Sequence, residues 1–457
     1  MKVVICGAGR VGSTIAQYLS EDDNEVVVID TDESVLDELA ASMDVQPVSG
    51  FASHPSVLEA AGAQDADMLI AVTPSDEVNM ITCQAANALF NVPTKIARIR
   101  SAEYADPKWL QSSANGAQPI DVIISPESEI ARSIRRSVRF PGAFDVIPLA
   151  SDRVRLIGLH CDEVCPMLNT PLRQLTLLFP DLDAVVVGVI RNGRLIIADG
   201  DMRLAPGDDV YLVAGVENVS RIMALFGFDR EKTRSVLILG GGDVSLNLAQ
   251  RLEKEGGLRI SLIEQDESRA KFLAETLTET TVIHGDFLDT DILEEADIDV
   301  VETVIALSSD DENNILASLM AKKYGAEQTL AMIDKPLYAQ LVVNLGVDVV
   351  IDPKDIMVST ILQHVRRGKI YAAYSVRSGM CEVLEADAFE SFEYTGSVLR
   401  DVRLPQGVII GAIVRDGVNV PLRGDTVIEN GDRLVLFADS DSVKQVEKLF
   451  SVGMELF

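Results

Sequence analysis

The sequence lacks any apolar run long enough to cross a lipid bilayer. A membrane-spanning helix needs about 20 mostly apolar residues, whereas the longest apolar runs here, such as 184–190, have the length of buried strands. The first ten residues, MKVVICGAGR, lead directly into a glycine motif and leave no room for a signal peptide. We therefore expect a cytoplasmic protein, held at a membrane only by a partner.

Basic residues are also scarce. The chain has 40 Lys and Arg against 71 Asp and Glu, a formal net charge of −31 and a sequence pI near 4.4. Nucleic-acid binding depends on neutralising phosphates with Lys and Arg, so we expect no nucleic acid partner. Such acidity favours a basic surface, for example the Lys/Arg-rich cytoplasmic loops of inner-membrane proteins. Solubility is the simpler explanation of the acidity.

Cysteine is too rare to form a disulfide framework. Only five cysteines are spread over 457 residues, while disulfide-stabilised domains are small and cysteine-dense. His160, Cys161 and Cys165 lie close in sequence, but structural zinc sites usually need four ligands at recognisable spacings. We therefore expect no metal site.

The chain consists of two repeated units. KVVICGAGRVGSTIAQYL at 2–19 is echoed by SVLILGGGDVSLNLAQRL at 235–252, and DMLIAVTPSDEVNM at 67–80 by ETVIALSSDDENNI at 302–315. A smaller repeat relates 189–214 to 413–438, with Asn-Gly and Asp-Gly pairs typical of hairpin turns. The order is A–B–A′–B′. We predict two Rossmann-like doubly wound parallel-sheet α/β domains, each followed by a small α+β domain, with boundaries at 1–125, 126–230, 231–352 and 353–457.

The start of the first A unit has the pattern of a phosphate-binding loop. An apolar strand leads into Gly7-x-Gly9-x-x-Gly12, and a helix follows. The first glycine permits a tight turn, the second lets the backbone approach a diphosphate, and the third allows close packing of helix on strand. Phosphate then lies at the helix N-terminus. The loop residues Ala8, Arg10 and Val11 complete this candidate site.

An acidic residue ends the second predicted strand, about 20 residues after the glycines, as dinucleotide-binding domains require. This residue is Asp30, followed by Thr31. Its carboxylate can accept hydrogen bonds from both ribose hydroxyls and would repel a 2′-phosphate. The motif therefore favours NAD(H) or an adenine nucleotide such as ATP/ADP over NADP(H). A solvated turn acid is the alternative, but Asp32 and Glu33 already serve that purpose.

Further candidates follow the other predicted strands, because ligands bind at the carboxyl ends of a parallel sheet. They are Gly50 with Phe51 after the third strand, Thr73 after the fourth, and Arg98 with Arg100 at the fifth. Arginine suits forked contacts with phosphate. For Arg100, an exposed ion pair is an equally good interpretation.

The second A unit keeps only part of this set. Gly240, Gly242 and Glu264 are the retained candidates. Asp243 replaces Arg10, and Ser245 replaces the third glycine. Met332 and Asp334 replace Arg98 and Arg100. Because acids near a polyphosphate weaken its binding, we predict that the first unit is the main nucleotide site.

Catalysis is the weaker interpretation. A dehydrogenase needs a general acid or base beside the nicotinamide, yet none of the four histidines is joined by Lys or Tyr in a recognisable catalytic pattern. The sequence also contains no GxxxxGK[ST] loop and no nucleophile elbow. We expect a binding protein and no enzyme, with an NAD-dependent oxidoreductase as the alternative.

The loop GAGRVG, the strand VVVIDTDE, the segment GFASHPSVLEAAGAQDADMLIAVTPSDEVNM, the strand KIARIR and the A–B–A′–B′ order carry a family resemblance. The chain resembles the regulatory subunits of Trk potassium-uptake systems, whose domains are of the RCK (KTN) type. The resemblance implies a peripheral subunit beneath a membrane-embedded TrkH or TrkG pore, a homotetramer forming a ring of eight RCK domains, and regulation by NAD(H) and ATP/ADP. A different potassium channel or antiporter using the same module is the alternative.

The resemblance also places the first nucleotide pocket. In this sequence the matching positions are Gly7, Gly9, Arg10, Gly12, Asp30, Thr73, Arg98 and Arg100. Phe51 departs from the family pattern, which often has Asn or Asp there, whereas Asp286 keeps an acid in the second unit.

A basic segment joins the first A and B units. Arg132, Arg135, Arg136 and Arg139 recur at the spacing that puts them on one helix face. The face is either solvated or paired with an acidic neighbour, as in the crossover helices through which RCK domains dimerise. The matching second segment, 353–369, ends in Arg366, Arg367 and Lys369.

Overall fold

The structure is a computed structural model that describes residues 1–21, 24–101, 103–104, 119–179, 181–228, 233–365, 370–376 and 379–450. The chain divides into two compact units. One comprises Met1–Glu129 with Pro353–Val365, and the other Ile130–Asp352 with Arg366–Phe457. Among the described residues, no helix is both long and apolar enough to cross a membrane. Arg366, Arg367 and Lys369 lie outside the described residues.

The first Rossmann-like domain contains a six-stranded parallel sheet in the order β3-β2-β1-β4-β5-β6. The strands are β1 (Lys2–Cys6), β2 (Glu25–Asp30), β3 (Gln46–Ser49), β4 (Met68–Ala71), β5 (Thr94–Arg98) and β6 (Val122–Ile124). Helices α1 (Arg10–Glu21), α2 (Glu33–Ser42), α3 (Pro55–Ala60) and α4 (Asp76–Phe90) connect them. The strand order reverses between β1 and β4, where ligands of such sheets bind.

Local sequence explains these elements. The central strands are continuous apolar runs, because a parallel sheet is covered on both faces, and β4 is buried throughout. Asp32 caps α2 by accepting a hydrogen bond from Ser34 N, and Ser75 caps α4 by accepting from Val78 N. These caps place both helix N-termini at the carboxyl edge of the sheet.

The first sheet is covered on one side by a helix from far along the chain. Helix α13 (Pro353–Val365) packs against α1. Its side chains Met357, Ile361 and Leu362 are buried in the same core cluster as Ile15 of α1. The first Rossmann-like domain therefore includes a segment that follows the second one in sequence.

The second Rossmann-like domain repeats the topology, with the parallel order β14-β13-β12-β15-β16-β17. Its strands are β12 (Ser235–Leu239), β13 (Arg259–Glu264), β14 (Thr280–His284), β15 (Thr303–Ala306), β16 (Gln328–Met332) and β17 (Val349–Ile351). Its helices are α8 (Asp243–Glu255), α9 (Glu267–Thr276), α10 (Thr290–Glu295), α11 (Asp311–Tyr324) and α12 (Pro336–Leu345).

Helix α5 (Pro126–Arg139) is the predicted basic helix. Arg135 forms an ion pair with Glu255, at the end of α8, with 3.1 Å between Nη1 and Oε1. Arg136 Nε donates to the carbonyl oxygen of Val146 at 3.1 Å. The basic face is thus at least partly paired with protein groups.

The two small domains contain five-stranded antiparallel sheets in matching orders, β10-β9-β11-β8-β7 and β21-β20-β22-β19-β18. The first has β7 (Ala143–Leu149), β8 (Val154–Cys161), α6 (Leu172–Leu178), β9 (Ala184–Arg191), β10 (Arg194–Ile197), β11 (Asp208–Gly215) and α7 (Val219–Leu225). The second has β18 (Ile370–Val376), β19 (Cys381–Asp387), β20 (Val408–Arg415), β21 (Val418–Val420), β22 (Arg433–Asp439) and α14 (Val443–Phe450).

These two sheets share a buried core. It includes Tyr211 from the first small domain and Phe437 from the second, whose ring centroids lie 6.1 Å apart. Each small domain also has its own core beneath its C-terminal helix. The predicted fold class, two Rossmann-like domains each followed by a small α+β domain, is confirmed.

Candidate functional site

The first glycine loop has the geometry that its spacing predicts. Gly7 has a φ of +109°, and a Cβ there would lie 3.0 Å from Thr73 N. A Cβ at Gly12 would lie 1.8 Å from the carbonyl oxygen of Gly7, so only glycine permits this contact between α1 and the loop. At Gly9, by contrast, a Cβ would meet nothing within 4 Å. Open space is thus left where a ligand phosphate approaches the backbone.

The other loop residues surround this space. Ala8 is buried, Arg10 is exposed at the first position of α1, and Val11 packs partly against the core. The amide groups at the start of α1 and the helix dipole favour an anion here. Arg10 adds a positive side chain at the same helix end.

Asp30 lies at the end of β2, directly beside the loop. Its Oδ2 accepts a hydrogen bond from Ala8 N at 2.6 Å, and its Oδ1 accepts from Asp32 N at 3.0 Å. These bonds fix the carboxylate next to the glycines. A carboxylate has about four acceptor sites, so about two remain for ribose hydroxyls. Thr31 follows at an exposed position.

Gly50 and Phe51 follow β3 at the same carboxyl edge of the sheet. Gly50 has a φ of +149°, and a Cβ there would approach Val57 Cγ2 to 2.8 Å, so helix α3 packs tightly on this turn. Phe51 is 59% exposed, with its ring centroid 5.4 Å from that of His54. An exposed aromatic ring at the same sheet edge as Asp30 offers a surface on which an adenine can stack.

Two residues of α4 that the sequence prediction missed form hydrogen bonds with the chain just after β4 and at the end of β5. Asn79 of α4 is fully buried. Its Oδ1 accepts from Thr73 N at 2.9 Å and from Thr73 Oγ1 at 2.7 Å, while its Nδ2 donates to the carbonyl oxygens of Thr73 and Arg98. Asp76 accepts from the backbone N–H groups of Arg100 and Ser101. The signal that could have revealed them is their recurrence in the second unit, as Asn314 and Asp311.

Arg98 and Arg100 make this edge cationic. Arg98 is half-buried, and its Nε has no hydrogen-bond partner among the described residues. Burial lowers the pKa of the Arg98 guanidinium, and the charge of Arg100 lowers it further, while Glu127 and Asp76 act in the opposite direction. A bound anion would satisfy the guanidinium and reduce this repulsion. The residues present therefore fit a phosphate-bearing nucleotide.

The same edge is linked to helix α5. Glu127, in the first turn of α5, lies with its Oε1 3.7 Å from Arg100 Nε. The other oxygen, Oε2, is buried without a hydrogen-bond partner among the described residues. Arg100 is thus shared between the candidate phosphate site and the start of α5.

The second glycine loop keeps the shape of the first but differs in charge. Gly240 has a φ of +94°, and a Cβ at Gly242 would again meet open space. Glu264 takes the place of Asp30, because its Oε2 accepts from Gly241 N at 2.6 Å and its Oε1 from Asp266 N at 2.7 Å. Asp243 is paired with Arg269, a residue that the sequence prediction also missed.

His160 and His284 lie in different domains. His160 contacts Asp209 at 2.8 Å in the first small domain, and His284 Nε2 lies 3.1 Å from the carbonyl oxygen of Gln265 in the second Rossmann-like domain. Cys161 and Cys165 have their sulfur atoms 3.6 Å apart in a buried position. Within the described residues, no three His, Cys, Asp or Glu side chains cluster as metal ligands would.

Most of the chain matches two known domain families. The TrkA-N domain family matches residues 3–126 and 236–353, and the TrkA-C domain family matches 162–227 and 394–451. A Trk system potassium uptake protein TrkA from Azorhizobium caulinodans is 44% identical over the full length of both chains, and one from Halomonas elongata is 38% identical, also over both full lengths.

Solved structures share the fold at low sequence identity. The GsuK RCK domain has a TM-score of 0.60 and 17% identity, covering 98% of this chain and 94% of its own. A GsuK channel bound to NAD has a TM-score of 0.61 and 16% identity, covering 98% of this chain and 78% of its own. With duplicated TrkA-N and TrkA-C domains and full-length relatives above 30% identity, the chain belongs to the TrkA family of Trk system potassium uptake proteins.

Proposed function

We propose that this chain is the nucleotide-binding regulatory subunit of a Trk-type potassium uptake transporter, and that it binds NAD(H) and ATP/ADP without turning them over. The observation that carries the proposal is the first glycine loop, where a Cβ at Gly9 would meet open space and Asp30 accepts a hydrogen bond from Ala8 N. Arg98 and Arg100 lie at and just after the end of β5, at the same carboxyl edge of the sheet. Names of full-length relatives support the potassium-transport role, and the solved channel bound to NAD supports the ligand class.

The proposed binding residues each have one task. The backbone of the first loop and the start of α1 bind the phosphates, Asp30 binds the ribose, and Phe51 stacks on the base. Arg10, Arg98 and Arg100 neutralise the phosphate charge. The full proposed set is Gly7, Ala8, Gly9, Arg10, Val11, Gly12, Asp30, Thr31, Gly50, Phe51, Thr73, Arg98 and Arg100, with Gly240, Gly242 and Glu264 in the second unit.

The link from ligand to gating runs through Arg100. Glu127 and a ligand phosphate would compete for this guanidinium, since both are anions, the Arg100–Glu127 contact is 3.7 Å long and the Arg100 side chain is half-exposed. A phosphate that draws Arg100 toward the loop releases Glu127 at the start of α5. Because α5 leads into the small domain, binding at the loop then favours one conformation of the assembly over another. A nucleotide shifts this equilibrium only by its difference in affinity for the two conformations.

The proposed partners are a membrane-embedded TrkH- or TrkG-type subunit and three further copies of this chain in a ring. The chain would lie in the cytoplasm, on the inner face of the cell membrane. An exposed apolar stripe on α12 is suited to self-association, since Leu337, Leu341 and Leu345 are 75%, 54% and 60% exposed at a four-residue spacing. The division of the chain at 1–125, 126–230, 231–352 and 353–457 belongs to the same proposal and follows the sequence repeat, while α13, at the start of the fourth segment, packs on the first domain.

Ring formation can be tested at this stripe. Leu341→Glu should lower the mass measured by light scattering, because a charge is costly in an apolar interface. Val300→Glu is the matched control, since Val300 is 55% exposed outside the stripe. If both variants keep the wild-type mass, the ring forms through another surface.

The nucleotide site is tested by calorimetry on the full chain with NAD, NADH, NADP, ADP and ATP. Binding of NAD(H) and ATP/ADP without turnover is expected. Asp30→Ala and Arg100→Ala should each weaken it by about tenfold or more, since each removes a charge-assisted hydrogen bond. Arg259→Ala, which removes an exposed arginine paired with Asp297 at 4.0 Å, is the control. Absence of binding by the wild type, or steady oxidation of NADH with a carbonyl substrate, would refute the proposal.

A further inference from the structure

The base of a nucleotide bound at the first glycine loop lies toward β3. The loop that binds the phosphates follows β1, and Asp30, which binds the ribose in the proposed function, ends β2. Neighbouring strands are about 4.8 Å apart and the sheet order is β3-β2-β1, so the base continues over the end of β3. Gly50 N donates to the carbonyl oxygen of Asp30 at 2.8 Å, which fixes the turn after β3 against the ribose position. Phe51 is the next residue.

The side chain at this position has no hydrogen-bonding group. Phe51 is 59% exposed, although its ring centroid lies only 5.4 Å from that of His54. The backbone of this turn is fixed, because His54 N donates to the carbonyl oxygen of Phe51 at 2.9 Å. A phenyl ring contacts a base through its face, and every base has such a face, so stacking does not distinguish one purine from another. His54 adds no fixed preference, since a neutral imidazole has one donor and one acceptor nitrogen.

The second domain has a different residue in the same turn. Gly285 N donates to the carbonyl oxygen of Glu264 at 3.0 Å, so the turn after β14 repeats the turn after β3. Asp286 then stands at the position of Phe51, is exposed, and accepts a hydrogen bond from Leu288 N at 2.9 Å. A carboxylate there can distinguish purines, because adenine carries an amine donor where guanine carries a carbonyl acceptor. The fold therefore accommodates a base-reading group where the first domain has only a hydrocarbon ring.

We propose that the first glycine loop binds purine nucleotides without discriminating the base. GTP, ITP and the hypoxanthine analogue of NADH then bind about as tightly as ATP and NADH. Affinity comes from Asp30, from the phosphate-binding groups and from stacking on Phe51. Apolar contacts cannot strongly reject a ligand that differs by one polar group, whereas a side chain that forms a hydrogen bond with the base can. This inference rests on the proposed function and extends its ligand class from adenine to purine nucleotides.

The test is calorimetric titration of the full chain carrying Glu264→Ala, so that the second loop contributes least to the heat. ATP, GTP and ITP should have dissociation constants within about tenfold of one another, and so should NADH and its hypoxanthine analogue. Phe51→Ala should weaken binding of all five by a similar factor, at least about fivefold, because they lose the same stacking surface. Leu89→Ala is the matched control and should change no affinity. Leu89 is 58% exposed in the last turn of α4, away from the sheet edge where that helix begins.

A second variant, Phe51→Asp, copies the residue of the second domain. It should change the ratio of ATP to GTP affinity by about tenfold, because a charge-assisted hydrogen bond depends on the donors that each base presents. Thermal melting should confirm that each variant is folded. Affinities of the wild-type first loop that differ more than tenfold between bases, base-dependent losses in Phe51→Ala, or an unchanged ratio in Phe51→Asp would overturn the inference. Failure of the proposed function gives another result, in which no nucleotide binds or Asp30→Ala leaves ATP affinity unchanged.

Discussion

Replacing Asn79 by alanine should destabilise the first Rossmann-like domain and weaken nucleotide binding at its glycine loop. The side chain is fully buried and makes four hydrogen bonds, to Thr73 N, Oγ1 and O and to the carbonyl oxygen of Arg98. A net value of about 1 kcal/mol for each gives a loss of about 3–4 kcal/mol in the free energy of unfolding of this domain. For a domain of about 120 residues, that loss lowers its melting temperature by about 12–16 °C.

The functional consequence follows from which groups are released. Without Asn79, the ends of β4 and β5 lose their shared contact, so Thr73 and Arg98 are no longer held at the edge of the glycine loop. We expect the affinity for NADH, measured by calorimetry well below the melting temperature, to fall at least about tenfold. Misplacement of a charged ligand contact has an effect of this size.

The duplicated chain supplies the control. Asn314 makes the same four bonds, to Ser308 N, Oγ and O and to the carbonyl oxygen of Met332. Asn314→Ala should therefore cost similar stability in the second domain while leaving the affinity of the first site unchanged. Wild-type melting of Asn79→Ala, or equal weakening of NADH binding by both variants, would contradict this role of Asn79.

Three further outcomes are expected. Phe51→Ala should weaken ATP and NADH binding by about 1–3 kcal/mol in calorimetry, because it removes the exposed ring on which the adenine stacks; unchanged affinity would exclude the stacking role. Burial, and then the charge of Glu447, raise the pKa of Glu382 to about 8 from 4.5. The unfolded chain thus loses this proton first, so stability should fall as pH rises from about 5 to 8, and Glu382→Gln should flatten that fall in urea titrations. A decline that persists in the variant would assign it to other groups. Asp432→Ala should cost about 3 kcal/mol in urea unfolding, since the buried carboxylate accepts two hydrogen bonds from Arg415; a loss below about 1 kcal/mol would contradict this.

The fold could be predicted because local patterns and global topology agree. Continuous apolar strands alternate with helices in both A units, and the repeat at offsets of 233 to 235 residues marks the duplication without any structural information. The geometry at Gly7 and Gly12 likewise follows from spacing alone, since backbone contacts of this loop depend on the absence of a Cβ.

The supporting contacts could not be predicted in the same way. Asn79 and Asp76 bind backbone groups that lie about 20 residues away in sequence, and such contacts depend on how α4 packs on β5. Arg269 was missed because its partners, Gly241 and Asp243, come together with it only when α9 packs beside the loop. An isolated arginine in an acidic chain gives no pattern from which that contact can be inferred.

The packing of α13 on α1 has a consequence for the order in which the protein can mature on the ribosome. Ile15 and its neighbours in the first domain are covered by Met357, Ile361 and Leu362, which are synthesised more than 300 residues later. Until that segment emerges, the nascent first domain exposes an apolar surface on α1. At about 5–20 residues per second, this interval lasts tens of seconds. A chain interrupted before residue 353 would carry a complete glycine loop on a domain that cannot finish its own core.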